Sequence, residues 1–275
     1  MQKIIRCFEF AIFVTLIIVS SLVIEPGQSQ ATFFGDVKTG FYDLKSDRYG
    51  VSYFIPKSYT ADHEWPLVVV LYTDEGEKGS QSVEKWTAEL TKRNEPGLFI
   101  AHLRPQDVPF SSDKRILKRI EEFKSIHRID PKKVLLTGFG EAAHYAFYFA
   151  LRYPETVSAA ALMGGGADGP FAEFYKDAQN GAKKLPILVL YGDQDKTITK
   201  DSFIPLHEQL YQEGYRLELE EYEGLQHLIY PEFRKRALDW FSQLTVTQAA
   251  DQMAERPSMG ALHTFVSIVR GVLQG

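Results

Sequence analysis

Ile129-Asp130-Pro131-Lys132-Lys133-Val134-Leu135-Leu136-Thr137-Gly138-Phe139-Gly140-Glu141-Ala142-Ala143 is the stretch on which the fold turns. Residues 134–137 have the apolar, β-branched character of a short buried strand. Gly138-Phe139-Gly140 then bends the chain, and 141–153 follow as a helix that Pro154 stops. A strand that passes through one sharp turn into a helix is the basic unit of a sheet covered by helices.

The same rhythm extends in both directions. Residues 66–72 form an unbroken Pro-Leu-Val-Val-Val-Leu-Tyr run. A strand so apolar is buried on both faces and belongs in the middle of a sheet. Further strands are expected at 98–103, 159–163, 187–191 and 217–222, with helices over 113–127, 202–213 and 231–244. In the first of these helices Ile116, Leu117, Ile120, Phe123 and Ile126 share one face, and Ser111 or Ser112 is placed to cap it. Before them, 40–44 and 50–55 read as antiparallel strands joined by a polar turn. The expectation is one α/β domain over 32–245, with a predominantly parallel central sheet and helices on both faces.

The chain ends differ from this core. Lys3 and Arg6 precede an apolar run over 10–24, which Glu25-Pro26-Gly27 breaks, and Ser29 and Ala31 stand at the −3 and −1 positions of a cleavage site. Residues 1–31 therefore read as a secretory signal, or as a membrane anchor if the segment is retained. Either way the protein is expected to be exported, to the periplasm, cell envelope or beyond, and to meet a membrane only through this segment. The sole cysteine, Cys7, lies inside it, so a processed chain has no disulfide, thiol nucleophile or Cys-ligated zinc. Residues 246–275 form a tail: 248–254 are polar, Pro257 interrupts, and Leu262, Phe265, Val266, Val269 and Val272 fall on one side of a last helix. That helix either packs on the domain or docks on a partner or membrane surface. A net charge of −5 with no block of Lys or Arg argues against a nucleic-acid partner.

Two further local patterns follow the opening stretch in order. Val189-Leu190-Tyr191-Gly192-Asp193-Gln194-Asp195-Lys196-Thr197-Ile198 is the first, and Tyr222-Glu223-Gly224-Leu225-Gln226-His227 the second. Together the three resemble α/β-hydrolases, especially secreted carboxylesterases of the polyhydroxybutyrate-depolymerase and feruloyl-esterase type, over about residues 40–244. The resemblance implies an α/β-hydrolase fold with Asp195 as the triad acid and His227 as the triad base. It places Gly140 where those esterases carry the nucleophilic serine. In such an elbow the turning residue holds a strained backbone that lifts a hydroxyl above the sheet. Glycine adopts that backbone readily but can neither attack a carbonyl nor be activated by a histidine.

The resemblance also places the oxyanion loop at Tyr72 and Thr73, with Glu141 as the residue after the nucleophile. Relatives have glycines after the central strand. Here Thr73-Asp74-Glu75-Gly76 follows Tyr72, and two carboxylates beside a developing oxyanion would oppose it. Ala142 and Ala143 replace small glycines, a tolerable change. A catalytically degenerate module that binds a small molecule or an envelope protein is the reading preferred from these residues. Esterase activity from a displaced nucleophile, with Thr73 or Ser158 as donors, and base chemistry by Asp195 and His227 without a covalent step are the alternatives. The preferred account of that pair is a hydrogen bond holding two loops together.

Glu141 would sit at a helix N-terminus, where a carboxylate is favoured by the dipole. Its alternative is an acidic pocket mouth with Asp74 and Glu75, but no histidine is spaced to complete a metal site, and no metal or cofactor is expected. His144 and the aromatic set Tyr145, Phe147, Tyr148, Phe149 and Tyr153 read mostly as helix packing. The run Gly164-Gly165-Gly166 reads as a loop near the site, since the Lys-Ser/Thr of a phosphate-binding loop is missing.

Overall fold

The computed structural model describes residues 38–44, 51–72, 79–92, 98–103, 112–166, 183–198 and 200–254. The segment 1–31, Thr73, Asp74, Glu75 and the helix expected around 262–272 lie outside the described residues. Strands β1 (Gly40–Leu44) and β2 (Val51–Ile55) pair antiparallel. β2 then pairs antiparallel with β4 (Leu98–Leu103), and β4 lies parallel to β3 (Trp65–Tyr72). Beyond β3 come β5 (Ile129–Phe139), β6 (Ala159–Met163), β7 (Ile187–Gly192) and β8 (Leu217–Tyr222), all parallel. The sheet order is β1-β2-β4-β3-β5-β6-β7-β8. The first crossover steps back over β3 and the later ones run forward, so the C-terminal ends of β5, β6, β7 and β8 line up along one edge.

Among the described residues, five helices cover the two faces: α1 (Gly79–Lys92), α2 (Asp113–Ile126), α3 (Glu141–Arg152), α4 (Lys200–Gln212) and α5 (Pro231–Ala254). The period of two in a strand divides the core between them. Leu67, Val69, Leu71, Leu136, Leu162 and Val189 face α2, α3 and α4, packing with Ile116, Ile120, Phe123, Phe149 and Leu210. Val68, Val70, Leu135, Ala161, Leu188 and Leu190 face α1 and α5, against Trp86, Phe233, Trp240 and Phe241. This is the α/β-hydrolase arrangement. No helix among the described residues is long and apolar enough to cross a membrane.

Four local expectations change. β5 spans eleven residues where four were expected, at 134–137. Its N-terminal part pairs Ile129 with Trp65, then the register shifts before Val134 meets Leu67. Pro66 and Pro131 fall in that gap, and each removes a ladder donor. Helix α1 has no counterpart in the expected elements, although Val83, Trp86 and Leu90 give it a buried stripe. Helix α5 continues past 244 to Ala254, because the polar residues there are good helix formers and Pro257 still lies ahead. Finally, Ser112 stands at the N-cap of α2 but has helical dihedrals and makes no capping bond with its side chain.

Candidate active site

β5 ends at Phe139, Gly140 turns, and α3 starts at Glu141. Gly140 has φ 55° and ψ −124°, a region that side chains other than glycine enter only under strain. Backbone bonds hold the turn. The Gly140 N–H donates to Met163 O at 3.0 Å, and its carbonyl accepts from Ala143 and His144 N–H at 2.9 and 3.2 Å.

Asp195 lies on the loop after β7 with its side chain 1% exposed. One carboxylate oxygen, Oδ1, accepts the Thr197 and Ile198 N–H groups, both at 2.9 Å. The other, Oδ2, is 2.7 Å from His227 Nδ1. That bond puts the ring proton on Nδ1 and leaves Nε2 as the acceptor, which is how an acid orients a base.

The loops that carry the acid and the base are sewn together. Asp193 N–H donates to Tyr222 O and Gln194 N–H to Leu225 O, both at 3.0 Å, and Gly224 N–H donates to Asp193 Oδ1 at 2.7 Å. At Gly192 the chains approach so closely that a Cβ would lie 2.0 Å from Leu225 O, so only glycine fits. The His227 ring rests on the Phe139 ring, with centroids 4.7 Å apart, and a Cβ built on Gly164 would stand 3.4 Å from the imidazole. Nε2 faces the elbow. A Cβ built on Gly140 would stand 3.3 Å from Nε2, and the only other described atom within 4 Å is His227 Cε1, apart from the chain neighbours of Gly140.

The structure thus brings Gly140, Asp195 and His227 together at the C-terminal edge of the sheet. Glu141 is half-buried in the first turn of α3, where the helix dipole favours its charge. Tyr72 ends β3 and packs on the α1/α5 side of the core; it does not fill the space beside Gly140. Ser158 is not a displaced nucleophile. Its hydroxyl bonds the Val134 backbone at 2.9 and 3.0 Å, at the start of β6 and roughly 17 Å along the strand from the elbow. His144 is buried, its Nδ1 accepting the Gly166 N–H at 3.2 Å and so pinning the 164–166 loop to α3. Among the described residues no three His, Cys, Asp or Glu side chains are grouped to hold a metal.

One polar cluster behind the site went unread in the sequence. Asp113, 2% exposed, accepts the hydroxyl of Tyr145, that of Tyr148 at 2.9 Å and that of Tyr153 at 2.8 Å. Burial, reinforced by the Asp113 charge and hydrogen bond, pushes the Tyr145 and Tyr148 phenols far above their ordinary range. The cluster ties α2 to the elbow helix α3. Tyrosines at 145, 148 and 153 on one helix were the available signal, but their partner lies 32 to 40 residues away in sequence.

A model of the dienelactone hydrolase family matches residues 57–253. Among curated proteins, the Arabidopsis thaliana protein named "Probable carboxylesterase SOBER1-like" is 30% identical over 116 residues, 42% of this chain and 44% of that one. "Protein usf" of Aquifex pyrophilus is 26% identical over 121 residues, 44% of this chain and 49% of that one. The match thus spans about half the length of these relatives. Among solved structures, Est1E from Butyrivibrio proteoclasticus superposes with a TM-score of 0.54 at 13% identity, covering 77% of this chain and all of that one. At that identity the likeness is one of fold.

Proposed function

The chain belongs to the dienelactone hydrolase family, and from that premise we propose that it is an exported hydrolase-fold protein that binds a small ligand without a covalent intermediate. One observation carries the reading. The elbow keeps the backbone of a nucleophile position, with the base Nε2 aimed at it, yet residue 140 has no side chain. No acyl-enzyme can form there. An oriented acid–base pair at the mouth of the sheet still offers a hydrogen-bonding site for a carbonyl or carboxylate.

The likeness of 129–143, 189–198 and 222–227 to polyhydroxybutyrate depolymerases and feruloyl esterases supports an ester or its acid as that ligand. Lys3, Arg6 and the apolar run over 10–24 support export. The test has two parts. A fluorophosphonate probe leaves the purified protein unlabelled, and the His227 ring resonances shift in NMR titrations with 3-hydroxybutyrate or ferulate. Serine labelling, or a ring indifferent to both acids and their methyl esters, overturns the reading.

A further inference from the structure

We propose that His227 activates a water molecule at the point a side chain on residue 140 would occupy, so that the site hydrolyses esters directly with no acyl-enzyme. This rests on the preceding reading that the ligand is an ester or its acid and that residue 140 forms no bond to it.

A staple between two loops needs only the Nδ1 to Oδ2 bond; where Nε2 points is then immaterial. Here the imidazole is held at more than that one bond. Asp195 holds one edge, Phe139 lies against one face, and Gly164 closes beside it. The remaining nitrogen faces the 140 position, and apart from the chain neighbours Phe139 and Glu141 no other described side chain comes within 4 Å of a Cβ built there. The His227 side chain is 27% exposed, so solvent reaches it, while its acid is almost fully covered. Asp195 uses both oxygens on fixed donors and so keeps its orientation when the ring becomes charged. These are the requirements for a general base acting on water.

In the step itself, Nε2 takes a proton from water as the water oxygen bonds to the ester carbonyl carbon. The tetrahedral adduct then collapses, its bond to the alkoxide breaks, and the Nε2 proton passes to that leaving oxygen. One ester and one water give one acid and one alcohol, and the imidazole is restored. The N-terminal end of α3, which starts next to residue 140, would favour the transient negative charge of an adduct formed there.

The full chain is assayed with p-nitrophenyl acetate. The expected result is steady release with no burst, an unchanged intact-protein mass after acid quench, and a slower rate in D2O. His227→Gln lowers the rate on the order of 100-fold, the usual scale of a lost general base. Gly140→Ala also lowers it, because its methyl takes the water's place 3.3 Å from Nε2. Circular dichroism verifies folding, and His227→Gln carries the test if the alanine variant unfolds. If wild type and His227→Gln release nitrophenol equally while the ring still responds to 3-hydroxybutyrate or ferulate, direct hydrolysis is overturned and the binding site stands. A burst with an acyl mass increment overturns both.

Discussion

At Gly140 a serine would have to adopt φ 55° and ψ −124°, a conformation that costs side-chain-bearing residues on the order of 1–3 kcal/mol. Working elbows bear that strain to present a hydroxyl; this chain avoids it. Gly140→Ser therefore has a predicted cost in stability, measurable as a melting temperature lower by several degrees. Its hydroxyl would fall within reach of Nε2, so slow fluorophosphonate labelling that depends on His227 is expected. Robust ester turnover is not, if Asp74 and Glu75 lie in the loop that the esterase resemblance assigns to the oxyanion, where two carboxylates would oppose its charge. Rapid hydrolysis by the serine variant would show that those carboxylates stand clear of the oxyanion. At this scale the meeting of Gly140, Asp195 and His227 was legible, because each sits in a short pattern next to a strand end. The direction of Nε2 was not legible, since it depends on Phe139 at the end of β5 and Gly164 after β6 standing close to the ring.

Among the elements, α2 has two buried polar groups whose energetics differ. Asp113 at its start gathers three tyrosine hydroxyls from α3 and its C-cap. Asp113→Ala leaves the buried Tyr145 and Tyr148 hydroxyls without that acceptor, at about 1–3 kcal/mol for each group stranded. Urea unfolding should show a loss of at least about 2 kcal/mol; a loss under about 1 would refute the role assigned to the cluster. His127, just past the end of α2, is packed by Phe123 and Tyr59, and burial lowers its pKa from 6.5 to about 4. The folded form thus keeps His127 neutral where the unfolded chain already takes up a proton. Its contribution to stability is complete above pH 6.5 and falls as the pH drops toward 4, by up to about 3 kcal/mol. In His127→Leu the stability-against-pH curve should be flatter over that window by a comparable amount. Parallel curves would rule this out. The cap of α2 shows why such features resist sequence reading: serine is a common capping residue, but Ser112 is fully buried and its hydroxyl makes no cap.

Across the whole molecule, the apolar runs at 66–72, 159–163 and 187–191 made the buried strands legible, since strands covered on both faces leave no polar side. The order in which they assemble is set by crossovers, which leave no local trace. Helix α1 went unread because Gly79-Ser80-Gln81-Ser82 opens it with weak helix formers, and the Val83, Trp86 and Leu90 stripe is short. β5 went under-read because Pro131 marks an irregularity and not an end. The architecture predicts a gradient of protection. In native-state hydrogen exchange, amides of β3, β5 and β6 should open only with global unfolding, and those of the edge strands β1 and β8 far sooner. Uniform protection across the sheet would contradict it.

The seam between the two site loops has a consequence for engineering. Asp193, Gln194 and Gly192 are joined to Tyr222, Gly224 and Leu225 through backbone contacts and one aspartate, none involving the elbow. The two loops therefore hold Asp195 and His227 as a preassembled cartridge whose seam is independent of residue 140. The elbow becomes a socket, into which an unnatural side chain, such as an amine or a selenol, could be fitted with that seam intact, the imidazole giving by a few tenths of an ångström to admit it.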